Sequence, residues 1–385
     1  MEIAVLRERH PLERRVALAP SQISPLEALG IQVRVEAGAG TRAGWSDEEY
    51  RAAGARVEDD LGALLEDVAC VLKIRPPRDG SDGEADEVAR LPSGSLLISF
   101  LSPGEPPGLL EALASREVSA IAMERMPRTT RAQRMDALSS QASAGGYRAV
   151  LLAATQLPRF FPMLTTAAGT IPPAKVIVLG AGVAGLQAIA TARRLGASVQ
   201  GYDIRSAAAE QVRSLGATFL EEDEEEAAAL EEAETEGGYA RALQETERDR
   251  QLAFLARHVP KADVVITTAQ IPGRPAPLLV TREMVEEMAA GSVVIDLAGE
   301  SGGNCELSRA GETVEHGGVT ILAPIDLPAG VAQHSSRMYG TNLTAVLQHL
   351  VEDGELQLDL EDEIVDAVLV THGSTVRVEP AAKGS

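Results

Sequence analysis

The sequence predicts an α/β protein of two doubly wound domains with parallel sheets, the first completed by the C-terminal segment. Three observations carry this expectation. Short apolar runs of strand length alternate with helical patterns along the chain, the sign of a parallel sheet wrapped by helices. A glycine-rich GAGVAG stands at 180–185, between one such strand and one such helix. The chain has 385 residues, 45% of them hydrophobic, which is enough for two cores.

In chain order, EIAVLR (2–7), VRVEAG (33–38), CVLKIR (70–75), SLLISFL (95–101) and SAIAMERM (119–126) read as buried strands. SQISPLEALG and LGALLEDVA read as the helices between them. AVLLAATQLPRFF, from Ala149, is an apolar helix long enough to bridge two domains. A second unit opens with strand KVIVLGAG from Lys175, helix VAGLQAIATARRLGA and strand SVQGYDIR. ADVVITTA, GSVVIDLA and VTILAP add three further strands. The segment from Pro328 through MYGTNLTAVLQHLVEDG returns to a helix and a short tail that fold back onto the first domain. The expected division is therefore 1–140 with 328–385, and 141–327.

Composition excludes several classes of function. The net charge of −22 argues against nucleic acid or an anionic membrane surface as partner. Much of that charge lies in one acidic run from Glu221 to Glu236, which reads as solvated chain. Cys70 and Cys305 are too few for a disulfide framework and wrongly spaced for zinc, so no metal is expected. The charged start MEIAVLRERH is not a signal peptide. The longest apolar run, after Lys175, is broken by three glycines and does not read as a membrane span.

The glycines at 180, 182 and 185 have separate tasks. Gly180 permits the tight turn, Gly182 lets a pyrophosphate approach the backbone, and Gly185 lets helix and strand pack closely. The phosphates then sit on the N-terminus of the helix that begins at Val183. Asp203 ends the next strand, 23 residues after Gly180, where a carboxylate accepts ribose hydroxyls and repels a 2′-phosphate. Its neighbours Ile204 and Arg205 complete the DIR triplet, and Arg205 alone would favour the 2′-phosphate. The pattern is that of a Rossmann-like NAD(H) site.

The chain also resembles a known family. RVALAP at 15–20, GWSDEEY at 44–50, LKIRPP at 72–77, GAGVAGLQAIATARRLGA and the DIR triplet are similar to the alanine dehydrogenase and transhydrogenase family. PRTTRAQRMDALSSQASAGGYRAV at 127–150 resembles the loop of the family's NAD(H)-binding transhydrogenase component. GGYA at 237–240, TTAQIPGRPAPLLVT and IDLAGESGGNCELS are similar to its further signatures.

The resemblance implies roles by position. Asp136 and Ser139 hold the nicotinamide carboxamide, and Arg128 bonds the same group or a nearby ribose and phosphate. Gln133 bridges to the ring of a second nucleotide on a partner, while Thr129 and Thr130 offer backbone contacts. Gly238 and Tyr239 belong to a loop that closes over the nucleotide, and Gln251 is a further nucleotide contact. Gln270 stands where the family often has an apolar residue near the ring. Lys73 and Arg15 match substrate-binding residues of the alanine dehydrogenases, but their histidine is replaced by Ser102.

The resemblance further implies the complete reaction. NAD(H) bound here exchanges hydride with NADP(H) on a separate subunit, and membrane-spanning subunits couple this to proton movement. With no span-length apolar run after Pro328, the membrane segment and the NADP(H) domain are expected as separate polypeptides. The subunit is expected as a homodimer, cytoplasmic and peripheral on the inner face of the membrane. The alternatives are an NAD-dependent amino-acid dehydrogenase of the alanine type and a non-catalytic NAD sensor.

Overall fold

A computed structural model describes residues 1–78, 80, 86–101, 108–221, 240–271 and 274–378. The chain divides into two compact units, Met1–Gln141 with Pro328–Ser385, and Ala142–Leu327.

The first unit is built on an eight-stranded sheet. Strands Arg56–Glu58, Gln32–Glu36, Glu2–Val5, Cys70–Leu72, Leu96–Ser99 and Ser119–Ala122 lie side by side in that order, all parallel. In sequence order this is 3-2-1-4-5-6, the doubly wound arrangement. Period-two alternation decides which face each side chain meets. Ile3 and Val5 enter one core cluster, with Cys70, Leu72, Leu96 and Ile98. Ala4 and Leu6 enter the cluster on the other face, with Val71 and Leu97. Covered on both faces, the central strands Cys70–Leu72 and Leu96–Ser99 are almost wholly apolar, while the outer strands Gln32–Glu36 and Arg56–Glu58 carry charges.

The sheet is not parallel to its edge. Leu369–His372 pairs antiparallel with Ser119–Ala122, and Thr375–Val376 continues as a hairpin around Gly373, whose φ is +53°. For the C-terminal segment the sequence predicts a helix and a tail. The segment supplies the helix Ala332–Leu350 and also these two strands. AVLVTH does not alternate and each strand is very short, so only the glycine turn at Gly373 hints at them.

The second unit repeats the plan in seven strands. Thr218–Phe219, Ser198–Tyr202, Lys175–Leu179, Val264–Thr267, Val293–Asp296 and Val319–Leu322 are parallel, and Thr313–His316 closes the edge antiparallel. Val176, Val178, Val264 and Ile266 face one core cluster, while Ile177, Leu179 and Val265 face the other. The strand order reverses between Lys175–Leu179 and Val264–Thr267. At such a switch point the carboxyl ends of neighbouring strands open a crevice, where doubly wound folds take their ligands.

Candidate functional site

The first strand of the second unit ends at Leu179, and the chain must turn at once into the helix Val183–Arg194. Gly180 makes the turn with φ +102°. A Cβ there would stand 2.6 Å from Thr268 Oγ1, so both conformation and space demand glycine. A Cβ on Gly185 would fall 1.8 Å from the Gly180 carbonyl oxygen, which is the close packing of helix on turn. Gly182 differs from both. A Cβ there would meet nothing within 4 Å, and the residue is exposed. Gly182 also caps the helix without a side-chain hydrogen bond. The bare backbone faces open space at a helix N-terminus, which fits a pyrophosphate.

Asp203 follows the neighbouring strand Ser198–Tyr202. Its carboxylate accepts the Ala181 amide at 2.7 Å, tying the glycine turn to the second strand end. It also accepts the Arg205 amide at 2.9 Å and the Arg205 guanidinium at 2.9 and 3.0 Å. Burial pushes the Asp203 carboxyl up, but the Arg205 and Ala181 hydrogen bonds outweigh it and hold the group below the usual carboxylate range. The Arg205 fork thus rests on Asp203 at the surface, with its side chain 63% exposed. Beside them Val183 is 43% exposed and Ile204 79% exposed, an unusual pair of open aliphatic side chains at one strand end.

The third wall is the loop after Val264–Thr267. Thr268 Oγ1 donates to the Gly180 carbonyl at 3.1 Å. Asn304 accepts the Ala269 amide at 3.1 Å and donates to the Ala269 and Pro277 carbonyls at 2.9 and 2.7 Å. Asp296, fully buried, holds this loop from below. It accepts Thr267 Oγ1, the amides of Ala298, Asn304 and Cys305, and Ser308 Oγ, all within 2.9 Å. Nothing in IDLAGESGGN assigns Asp296 or Asn304 a task before the fold is known. The lone acid that ends the apolar strand Val293–Asp296 is the signal available. Gln270 is exposed, and its amide donates to the Leu297 carbonyl at 3.0 Å.

Gln251 is half-buried on the helix Ala240–Ala256. That helix reaches the site through Phe254, whose ring lies 5.6 Å from the ring of Tyr202, next to Asp203. Gly238, Tyr239 and nearly all of the acidic run lie outside the described residues, as does Ser102.

The remaining candidates are in the first unit. After Ser119–Ala122 the chain passes through exposed Arg128, Thr129 and Thr130 into a short 3-10 turn, Gln133–Met135. Ala132 and Met135 face the core while Gln133 stays exposed. Asp136 then caps the helix Ala137–Gln156, accepting the Ser139 amide at 2.9 Å and Ser139 Oγ at 2.6 Å. Asp136 and Ser139, both half-buried, are thus joined at the helix cap, while Arg128 and Gln133 lie exposed earlier in the same stretch.

Lys73 and Arg15 are not available in the same way. Lys73 is 1% exposed, with Glu87 at 3.2 Å and Glu8 at 3.7 Å from its ammonium. Arg15 is gripped by Glu13 at 2.6 and 2.7 Å and bonds Gln141 at 2.8 Å. Both cysteine thiols are buried and pushed up by that burial, which makes them poor nucleophiles. Among the described residues no cluster of His, Cys, Asp and Glu could hold a metal ion.

Two family models match this chain. The alanine dehydrogenase/PNT N-terminal domain covers residues 4–145, and the alanine dehydrogenase/PNT C-terminal domain covers 149–379. The chain is 46% identical over 386 residues to an NAD(P) transhydrogenase subunit alpha polypeptide of Rhodospirillum rubrum, covering 100% of this chain and 99% of that one. A transhydrogenase structure from Sinorhizobium meliloti superposes with a TM-score of 0.83 at 42% identity, over 98% of both chains. An L-alanine dehydrogenase structure follows at 0.79 and 25%, over 98% of this chain and 96% of that one.

Proposed function

Because the chain belongs to the alanine dehydrogenase/PNT family, we propose that it is the NAD(H)-binding subunit of a proton-translocating transhydrogenase. Its relatives named as transhydrogenase alpha subunits make it a transhydrogenase component. The finer reading is that it presents NADH to NADP⁺ held on a separate subunit, with membrane-spanning subunits coupling the transfer to proton movement. The observation that carries this reading is the cap of the helix Ala137–Gln156, where the Asp136 carboxylate is held by the Ser139 amide and hydroxyl, within the stretch that resembles the transhydrogenase loop.

When bound, the nicotinamide supplies the chemistry: a hydride leaves the dihydronicotinamide ring of NADH and joins that of NADP⁺, giving NAD⁺ and NADPH. The residues of this chain bind and orient. Gly180, Gly182 and Gly185 receive the pyrophosphate, and Val183 and Ile204 cover the adenosine end. Asp203 takes the ribose hydroxyls and disfavours a 2′-phosphate, and it pairs with the neighbouring cation Arg205. Gln251 and Gln270 flank the nucleotide. Asp136 and Ser139 orient the carboxamide, Arg128 and the Thr129–Thr130 backbone support the same end, and Gln133 faces the second nucleotide. Gly238 and Tyr239 close over it and exclude water. No side chain need move a proton, because alignment is what hydride transfer asks for.

The amino-acid dehydrogenase reading is weaker on electrostatic grounds. A keto-acid carboxylate needs a cation with charge to spare, and Lys73 and Arg15 are each neutralised by buried glutamates. Among the described residues no helix is long and apolar enough to cross a membrane; in this reading the subunit is a homodimer docked at the inner face through its partner subunits.

The test is a fluorescence titration with NADH and NADPH, followed by mixing with a transhydrogenase NADP(H)-binding subunit. NADH-selective binding and rapid hydride exchange in the mixture are expected. Turnover of alanine with NAD⁺ by the chain alone would move it to the dehydrogenase branch, and binding with neither activity would leave a sensor.

A further inference from the structure

The turn Arg128–Asp136 is exposed along most of its length, yet hydride transfer demands that it stand still. Its own backbone offers little rigidity, since its hydrogen bonds are the short local ones Ala132 to Thr129, Met135 to Ala132 and Asp136 to Gln133. Two side chains outside the turn hold it. Asn342, on the helix Ala332–Leu350 and 7% exposed, donates to the Arg134 carbonyl at 2.8 Å. Gln141, one turn into the helix that Asp136 caps and 6% exposed, accepts from Arg15 at 2.8 Å and donates to the Ser335 carbonyl at 3.1 Å.

Both amides therefore join the turn to the same long helix, one on each side of Asp136. A third tie, the ion pair of Arg131 with Asp362, is at the surface, with Arg131 62% exposed. Pairs so exposed are screened by solvent and contribute too little to fix a geometry. A buried amide is another matter. Parting the Asn342 amide from the Arg134 carbonyl leaves a buried donor without that partner, so the turn rarely departs from it.

We propose that Asn342 and Gln141 are positioning residues for hydride transfer, two buried amides that clamp the Arg128–Ser139 turn between them. They act through Arg134 and the Asp136 cap rather than by touching the nucleotide. The inference rests on the functional reading above. It adds that the rate of transfer is set partly by residues of the C-terminal segment.

The experiment uses Asn342→Asp and Gln141→Glu, which nearly keep the side-chain size and remove the donors, while the glutamate keeps an acceptor for Arg15. Single-turnover transfer is measured at saturating NADH with the NADP⁺-loaded partner subunit, alongside the Kd for NADH. Hydrogen exchange of amides 129–140 is followed without nucleotide. Transfer should slow by about 10- to 100-fold while the Kd for NADH moves by less than about threefold. The amides of the turn should exchange faster in both variants, with those of the strand Lys175–Leu179 unchanged. Unchanged exchange in the turn, or unchanged transfer in a variant when the wild type is active, would overturn the clamp. A loss of transfer matched by an equal loss of NADH binding would also overturn it, since that is what general damage produces. Failure of the wild type to transfer hydride at all would instead sink the functional reading, and this control is run first.

Discussion

Asp136 and Ser139 are hydrogen-bonded to each other twice, through the Ser139 amide at 2.9 Å and its hydroxyl at 2.6 Å. The plain expectation for an Asp ahead of an apolar helix is a cap, and Asp136 is one. The proposed role in orienting a carboxamide does not compete with capping. A cap carboxylate is already fixed in direction by the amide it accepts, so the site gains a rigid acceptor with no further loss of entropy.

The two roles separate by substitution. Asparagine caps nearly as well as aspartate, so Asp136→Asn should leave the thermal midpoint within a few degrees while slowing hydride transfer by about 10- to 100-fold. Asp136→Ala removes the cap as well and should cost about 1 kcal/mol of stability in denaturant unfolding. If Asp136→Asn loses NADH binding and transfer in equal measure, the orienting role is wrong.

Asp203 should control both affinity and choice of nucleotide. Asp203→Ala removes the ribose acceptor and frees Arg205, which is now bound to it at 2.9 and 3.0 Å. NADH should then bind at least about tenfold more weakly, and NADPH should gain relative to it. Because the carboxyl is held below the usual range, the charged form survives mild acid. The affinity for NADH, which has no 2′-phosphate to titrate, should be flat between pH 7 and pH 5. A titration in which Asp203→Ala binds both nucleotides as the wild type does removes the residue from the site.

Much of this is legible in the sequence because strand, turn and helix each leave a local signal. The central strands are runs such as VVIT and VVID, buried on both faces and so apolar at nearly every position. Gly180, Gly182 and Gly185 announce their turn by spacing alone. What is not legible is set by distance along the chain. Asn342 meets Arg134 across 208 residues, and Gln141 meets Ser335 across 194, with no periodicity to mark either. Asp296 looks like the end of a strand, and only the fold brings five donors to it. The C-terminal strands leave little trace, because two- and four-residue segments at an antiparallel edge carry almost no pattern.

Glu8 carries a prediction about pH. Burial raises its carboxyl above the ordinary value, with Glu13 and Glu87 adding to the rise and Lys73 opposing it. The folded state therefore holds this proton more tightly than the unfolded chain. The contribution of Glu8 to stability grows as pH falls through that raised value and is smallest at neutral pH. Glu8→Gln keeps an acceptor for the Ile74 amide, which Glu8 now bonds at 2.6 Å. The variant should melt at or above the wild type at pH 7.5, and the difference should shrink toward pH 5. A variant that melts lower at pH 7.5 would mean that the Lys73 attraction outweighs burial.

The glycines at 182 and 185 should respond to alanine in opposite ways. At Gly185 a Cβ would sit 1.8 Å from the Gly180 carbonyl oxygen, a backbone atom with nowhere to go. Helix and turn must part, so Gly185→Ala should lower the thermal midpoint and abolish nucleotide binding together. At Gly182 the same methyl meets no protein atom within 4 Å, and the φ of −76° suits alanine. Gly182→Ala should therefore fold and melt like the wild type. The space the methyl enters is the space a pyrophosphate needs, and NADH should bind at least about tenfold more weakly. If Gly182→Ala binds NADH normally, the pyrophosphate does not approach the backbone there, and the nucleotide must enter the crevice by another route.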